Sequence, residues 1–216
     1  TAKGGGGGEG GLQGGGGPDG GSGGGASNAN LPPPSGTGGS ATQPGQSGDS
    51  GTYGFGNDGG DALTSPTYAM GGGGGAGSAG ADGVPSSPGD GGTGKDLGSV
   101  YGTDVGDSGW FASGGGAGYN VQTGQSGDAS DGGGTAGGTP LGGDSAAGAA
   151  NTGGGSGGGA ANHPSSDGLS GAGGSGVVVF RIATAVYTGT VSGSPTVATS
   201  GAYTIVEFTG NGSYTA

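Results

Sequence analysis

Glycine makes up 72 of the 216 residues, and 67 of these precede residue 177. Nothing else in the chain restricts its fold so strongly. A glycine offers no apolar surface to bury and loses more backbone freedom on ordering than any other residue. Residues 1–176 carry only 18 side chains from the Val, Ile, Leu, Met, Phe, Tyr and Trp set. That segment cannot build an ordinary apolar core. Composition alone would class it as disorder or flexible linker. The arrangement of the glycines says otherwise. Nearly pure glycine blocks recur at residues 4–8, 14–17, 20–25, 71–75, 114–116, 132–134 and 153–159. Longer polar and aromatic stretches separate them, over 26–70, 84–111 and 119–131. A linker has no reason to alternate bare blocks with stretches carrying Tyr, Phe and Trp. The strict Gly-X-Y triplet of collagen is absent.

One ordered form needs no side chains. In polyproline-II geometry a glycine chain rises about 3.1 Å per residue and makes no internal hydrogen bonds. Its N–H and C=O groups point sideways in three directions. Such rods can lie close together because no Cβ separates them, and each satisfies its neighbours' backbone groups. Weak Cα–H···O contacts recur between them. Residues 1–175 are therefore expected to form a bundle of short left-handed polyglycine-II helices with long end loops. Residues 176–216 read differently. "GVVVFRIATAVY" is β-branched and aromatic, and "AYTIVEF" alternates. Asn211-Gly212 is a type I′ hairpin signal and residues 192–195 a turn. The expectation is a small antiparallel β module of three or four strands, with essentially no α-helix. Such a unit is marginal alone. Its packing residues, Val177, Val178, Val179, Phe180, Ile182, Ile205 and Phe208, are expected to lie against the bundle or a neighbouring subunit. Val178→Asp is then expected to loosen the assembly.

Charge narrows the function. Fifteen acidic residues face Lys3, Lys95 and Arg181, for a net charge of −12. Nucleic acid and anionic membranes need basic surfaces, so neither is an expected partner. No stretch is long and apolar enough for membrane insertion. There is no cysteine to staple the chain. A chain that opens on Thr1 reads as a processed product or a fragment.

The chemical motifs are thin. Gly-Asp-Ser-Gly occurs at 48–51 and 106–109, as in the nucleophile segment of chymotrypsin-like proteases. That chemistry needs a histidine base upstream, and the lone histidine, His163, lies downstream of both. No glycine block is followed by a helical period that could hold a phosphate. The chain therefore reads as a non-enzyme with no cofactor. Residues 56–64 fit most of a calcium-binding nonapeptide, with Asp58 and Asp61 as the candidate ligands. Such sites form between stacked copies, and only one copy is present. The alternative is a turn in which Asp side chains bond the backbone. The aromatics Tyr53, Phe55, Tyr68, Tyr101, Trp110, Phe111 and Tyr119 fall at or near the loop stretches. They are candidates for a receptor-binding surface, since Tyr and Trp give large contact area at low entropic cost among adaptable Ser, Asn and Gly. Packing over the ends of the rods is the competing role for each.

Several motifs carry a resemblance. "NTGGGSGGG" at 151–159, "GGSGVVVFRI" at 173–182, "WFASGGGAG" at 110–118 and "TYAMGGGGGAG" at 67–77 are similar to the glycine-rich domain of bacteriophage tail-fibre and virion-surface proteins. The last 25 residues resemble a short β module that often follows it. Related adhesins at phage tail-fibre tips form layered sandwiches of polyglycine-II helices whose end loops set receptor specificity. The resemblance implies that architecture, a place on a virion surface or outside the cell, and a host receptor or glycan as partner. Other copies of the chain or neighbouring fibre proteins would be the assembly partners. A self-assembling subunit of an extracellular filament is the alternative. The loops are the variable part of the family, so no site residue transfers from it.

Overall fold

The computed structural model describes residues 15–27, 36–43, 55–63, 69–118, 124–134, 144–159 and 169–216. Over most of the described glycine-rich residues the chain runs in short extended segments with neither helix nor sheet. Their hydrogen bonds follow a period of three. In the segment 71–76 every amide donates. Gly71 and Gly74 donate to the carbonyls of Ala26 and Gly23. Gly72 and Gly75 donate to Ala81 and Ser78, and Gly73 and Ala76 to Gly115 and Ala112. Three successive amides thus address three different neighbours, and the fourth returns to the first. In each pair one residue number rises as the other falls, so the three neighbours run antiparallel to this segment. Gly89 and Gly92 donate to Met70 and Gly73, so segment 89–94 runs parallel to it.

The same logic orders the rest. Segments 15–20, 36–42, 70–76, 89–94, 144–149 and 169–176 share one direction. Segments 21–27, 56–62, 78–83, 112–118 and 153–159 run the other way. The result is a lattice in which backbone satisfies backbone with bonds mostly of 2.7–3.1 Å. Close approach is what glycine makes possible. A Cβ built at Gly72 would lie 2.0 Å from the carbonyl oxygen of Asp90, and one at Gly115 would lie 1.8 Å from that of Ser156. No real side chain sits at such distances.

Several segments lie where the sequence suggests loops. Residues 36–42 and 56–62 fall inside the polar stretch 26–70, yet both belong to the lattice. The reason is local. Glycine is needed only where Cα faces a neighbour, as at Gly38, Gly39, Gly59 and Gly60. Thr37, Ser40 and Asp58, on the outside, keep their side chains. The expected block at residues 4–8 lies outside the described residues.

Regular structure is sparse. A two-residue antiparallel pair joins β1 (Lys95–Asp96) to β2 (Trp110–Phe111), and between them sits a one-turn helix, α1 (Gly98–Tyr101). The C-terminal module holds β3 (Val178–Ala183), β4 (Thr190–Ser192), β5 (Thr196–Ser200), β6 (Tyr203–Phe208) and β7 (Ser213–Thr215). A 3-10 turn, Thr184–Val186, follows β3. The strands form two sheets, one of order β3-β6-β5 and one pairing β4 with β7. Every pairing is antiparallel. This is five strands rather than three or four.

Asn211-Gly212 does not close the expected hairpin, because β6 pairs with β3 and β5 while β7 crosses to β4. A Cβ at Gly212 would meet the Phe208 ring at 2.4 Å, so the glycine gives that ring its place as the chain changes sheets. The module's core is Thr204, Ile205, Val206 and Phe208 of the central strand. Rings join the sheets. Phe180 of β3 meets Tyr214 of β7 at 6.4 Å, and within its own sheet it packs edge-on against Phe208 at 6.0 Å, while Tyr214 also stacks on Tyr187 at 5.8 Å. Among the described residues no helix is long and apolar enough to cross a membrane.

Candidate functional site

The direction of each segment fixes which connections share an end of the lattice. Segment 56–62 starts, and segments 89–94 and 169–176 finish, at the same end. Phe55, the Lys95–Phe111 excursion and the C-terminal strands therefore all emerge there. The excursion links two antiparallel neighbours, since Gly114 and Ala117 donate to Gly92 and Gly89. It is a folded unit. Leu97 N–H donates to Gly109, Tyr101 N–H to Leu97, and Asp107 and Trp110 exchange both backbone bonds. The tight return uses positive φ at Gly106 (62°), Ser108 (53°) and Gly109 (91°). At Gly106 a Cβ would strike the Phe111 ring at 2.7 Å, so this glycine serves both the turn and the ring.

Val105 is buried at the centre of the unit, while Tyr101, Trp110 and Phe111 are half-buried. Tyr101 and Phe111 line a small cavity of about 160 Å³ with Leu97, Val177 and Val179. The start of β3 therefore rests beside this loop, and Val179 is on the contacting face. Val178 points the other way and is 55% exposed. Phe180 and Ile182 share its face, as alternation along a strand requires. Solvent meets a polar and acidic rim: Ser99, Thr103, Asp104, Asp107 and Ser108 are exposed. Aromatic rings held behind short polar side chains can bury the flat face of a sugar or a peptide side chain while the rim bonds its polar groups.

Of the seven candidate aromatics, the structure places Tyr101, Trp110 and Phe111 in one unit. Phe55 lies with Phe111 on the wall of a separate, larger groove. Tyr53, Tyr68 and Tyr119 lie outside the described residues. Sequence reasoning did not single out Leu97 or Val105. Each is a lone apolar residue in a polar stretch, and no periodicity marks it.

Asp58 and Asp61 are occupied with amides. The Asp58 carboxylate accepts the Ala41 N–H at 2.6 Å, and the Asp61 carboxylate accepts that of Gly38 at 2.7 Å. Four more carboxylates do the same across segments. Asp19 takes the Ser40 amide, Asp82 that of Asp61, Asp90 that of Asp128, and Asp144 that of Leu169. Among the described residues, no three His, Cys, Asp or Glu side chains converge as a metal site would require. The alternative role, Asp on backbone, is the arrangement present, but it bridges neighbouring segments rather than closing a turn. Acidic side chains at lattice edges thus complete backbone bonding where no further segment does.

The fold and this end surface define a non-helical, glycine-built chain with small antiparallel sheets and a compact aromatic loop. Comparison with protein-family models, curated proteins and solved structures finds no match.

Proposed function

We propose that this chain is a non-enzymatic structural and adhesive protein of a virion surface or tail fibre. Its extended segments are polyglycine-II helices, and its end loops bind a host-surface receptor or glycan. The observation that carries the reading is the threefold cycle of donors through residues 71–76. A backbone that repeats every three residues without internal bonds has the symmetry of polyproline-II geometry. The lattice so built is a stiff platform with little side-chain chemistry of its own, and it carries the aromatic loop 95–111 and the β module at one end. Recognition on loops held by a rigid scaffold is a common division of labour.

The decisive experiment exchanges residues 84–131 for the equivalent stretch of a related chain and measures attachment to cells or to arrayed surface glycans. Binding is expected to change or vanish. Undiminished binding to the same cells would remove the loop from the receptor site. Backbone couplings that place φ near −75° through residues 71–76 would support the polyglycine-II assignment, and helical or sheet values would reject it.

A self-assembling extracellular filament subunit is the second reading, favoured by one feature. Strand β5 is an edge strand exposed along its whole length. Such an edge can pair with another chain. Negative-stain images of the pure protein separate the two, since polymers support the filament and discrete particles the adhesin.

A further inference from the structure

Among the described residues the lattice has a gap. A groove of about 680 Å³ runs between segments 21–26, 70–74, 111–118, 152–159 and 173–177. Glycine supplies 18 of its 29 lining residues, and the larger side chains on its walls are Phe55, Met70, Phe111, Thr152 and Val177. The period-three bonding shows which amides face it. In segment 21–27, Gly23 and Ala26 donate to segment 56–62 and Gly24 donates to Pro18. The third direction, that of Gly25, meets no acceptor among the described residues. In segment 112–118, Gly114 and Ala117 donate to segment 89–94 and Gly116 to Gly134, leaving the Gly115 N–H without a partner among the described residues. Both residues are buried and both line the groove. Buried backbone N–H groups without partners are rare in folded proteins.

The glycines around the Gly115 amide give a second observation. At most of the lattice glycines a Cβ would collide with backbone, which explains the glycine. At Gly73 it would not. Its nearest neighbour would be the Gly115 nitrogen, at 3.5 Å, an ordinary contact. A Cβ at Gly155 would approach the same nitrogen from another segment, at 3.1 Å. Side chains at these positions would cover the Gly115 N–H, and glycine leaves it open. Gly173, on the facing wall, also has ordinary room, its nearest neighbour lying at 3.6 Å.

We infer that the groove receives an extended, glycine-rich segment of a second polypeptide, whose carbonyls accept from Gly25 and Gly115. It would complete the lattice as an added strand completes a sheet edge. The occupant's chemistry follows from the walls. Neighbouring segments in this lattice approach so closely that a Cβ would reach a carbonyl at about 2 Å, so only a chain nearly free of side chains reaches both amides. The groove borders the aromatic unit through Phe111 and Val177, but the two amides belong to lattice segments and the inference does not depend on the receptor reading.

The test uses the whole chain and a synthetic peptide with the sequence of residues 153–159, Gly-Gly-Gly-Ser-Gly-Gly-Gly. At millimolar peptide the Gly25 and Gly115 amide signals are expected to shift, and their hydrogen exchange to slow about tenfold. A control peptide with valine at every third position is expected to do neither. Gly73→Val is expected to weaken peptide binding about tenfold or more. Gly73→Ala keeps the test valid should valine disturb folding, because its methyl fits and lies over the Gly115 amide. Four outcomes would overturn the inference: no response at Gly25 and Gly115, equal binding of the valine peptide, binding unchanged by either substitution, or the same shifts produced by a neutral oligosaccharide.

Discussion

At the scale of single residues, the glycines divide into two kinds that composition cannot tell apart. Gly72 and Gly73 are adjacent, share a run of five, and differ in what a methyl group would meet. At Gly72 it would lie 2.0 Å from the Asp90 carbonyl. Gly72→Ala must therefore push two segments apart and is expected to lower stability by about 1–3 kcal/mol, as overpacking does. At Gly73 the methyl has room, and removing glycine's freedom from the unfolded chain favours the fold. Gly73→Ala is expected to leave stability unchanged or raise it by about 0.4–1 kcal/mol. Denaturant titration of the pair checks both. The carboxylates make a parallel case. Asp61→Ala removes the acceptor of the Gly38 amide and is expected to cost about 1 kcal/mol, while Asp61→Asn keeps an oxygen there and costs less.

At the scale of elements, β3 separates two faces. Val179 lies on the side of Leu97, Tyr101 and Phe111, whereas Val178 is exposed. Within one chain, Val179→Asp is expected to loosen the contact between module and loop and to lower the melting temperature more than Val178→Asp. The sequence names Val177, Val178 and Val179 together as packing residues, against the bundle or a neighbouring subunit, without separating the two faces. Three consecutive valines show that a strand is present but not which face the neighbouring loop will cover. The central strand is clearer. Val206 is fully buried, and Val206→Ala is expected to cost about 2 kcal/mol by calorimetry or denaturation.

Legibility followed the same line throughout. The glycine blocks, the absence of long helices among the described residues and the β character of residues 178–183 and 203–208 could be read from residue types, because each is a local property. The assignment of residues 36–42 and 56–62 to the lattice could not, because only the spacing of Gly38, Gly39, Gly59 and Gly60 against distant neighbours reveals it. The Asn211-Gly212 signal misled for a similar reason. A turn sequence says that the chain reverses, not which strand it reverses against. Tyr101, Trp110 and Phe111 were visible as aromatics in a polar stretch, but their gathering depends on the positive φ of Gly106 and Gly109.

At the scale of the whole molecule, the period-three lattice predicts a distinct pattern of hydrogen exchange. All six amides of residues 71–76 are bonded, so they are expected to exchange together and slowly, near the limit set by global unfolding. Gly25 and Gly115, one segment away, are expected to exchange faster despite their burial. A disordered glycine chain would show neither protection nor contrast.

The near absence of apolar side chains inside the lattice has a thermodynamic consequence. Among the described residues its buried hydrophobic side chains are Ala26, Ala69, Met70, Ala76 and Ala117, four of them alanines. Heat capacity rises on unfolding because apolar surface meets water, and exposure of peptide groups lowers it. Unfolding this lattice exposes mostly peptide. Its heat-capacity increment should fall well below the roughly 12–15 cal/mol/K per residue of ordinary domains. Enthalpy and entropy of unfolding would then vary little with temperature. The stability curve would flatten from a dome toward a straight line, and cold would cease to be a denaturant.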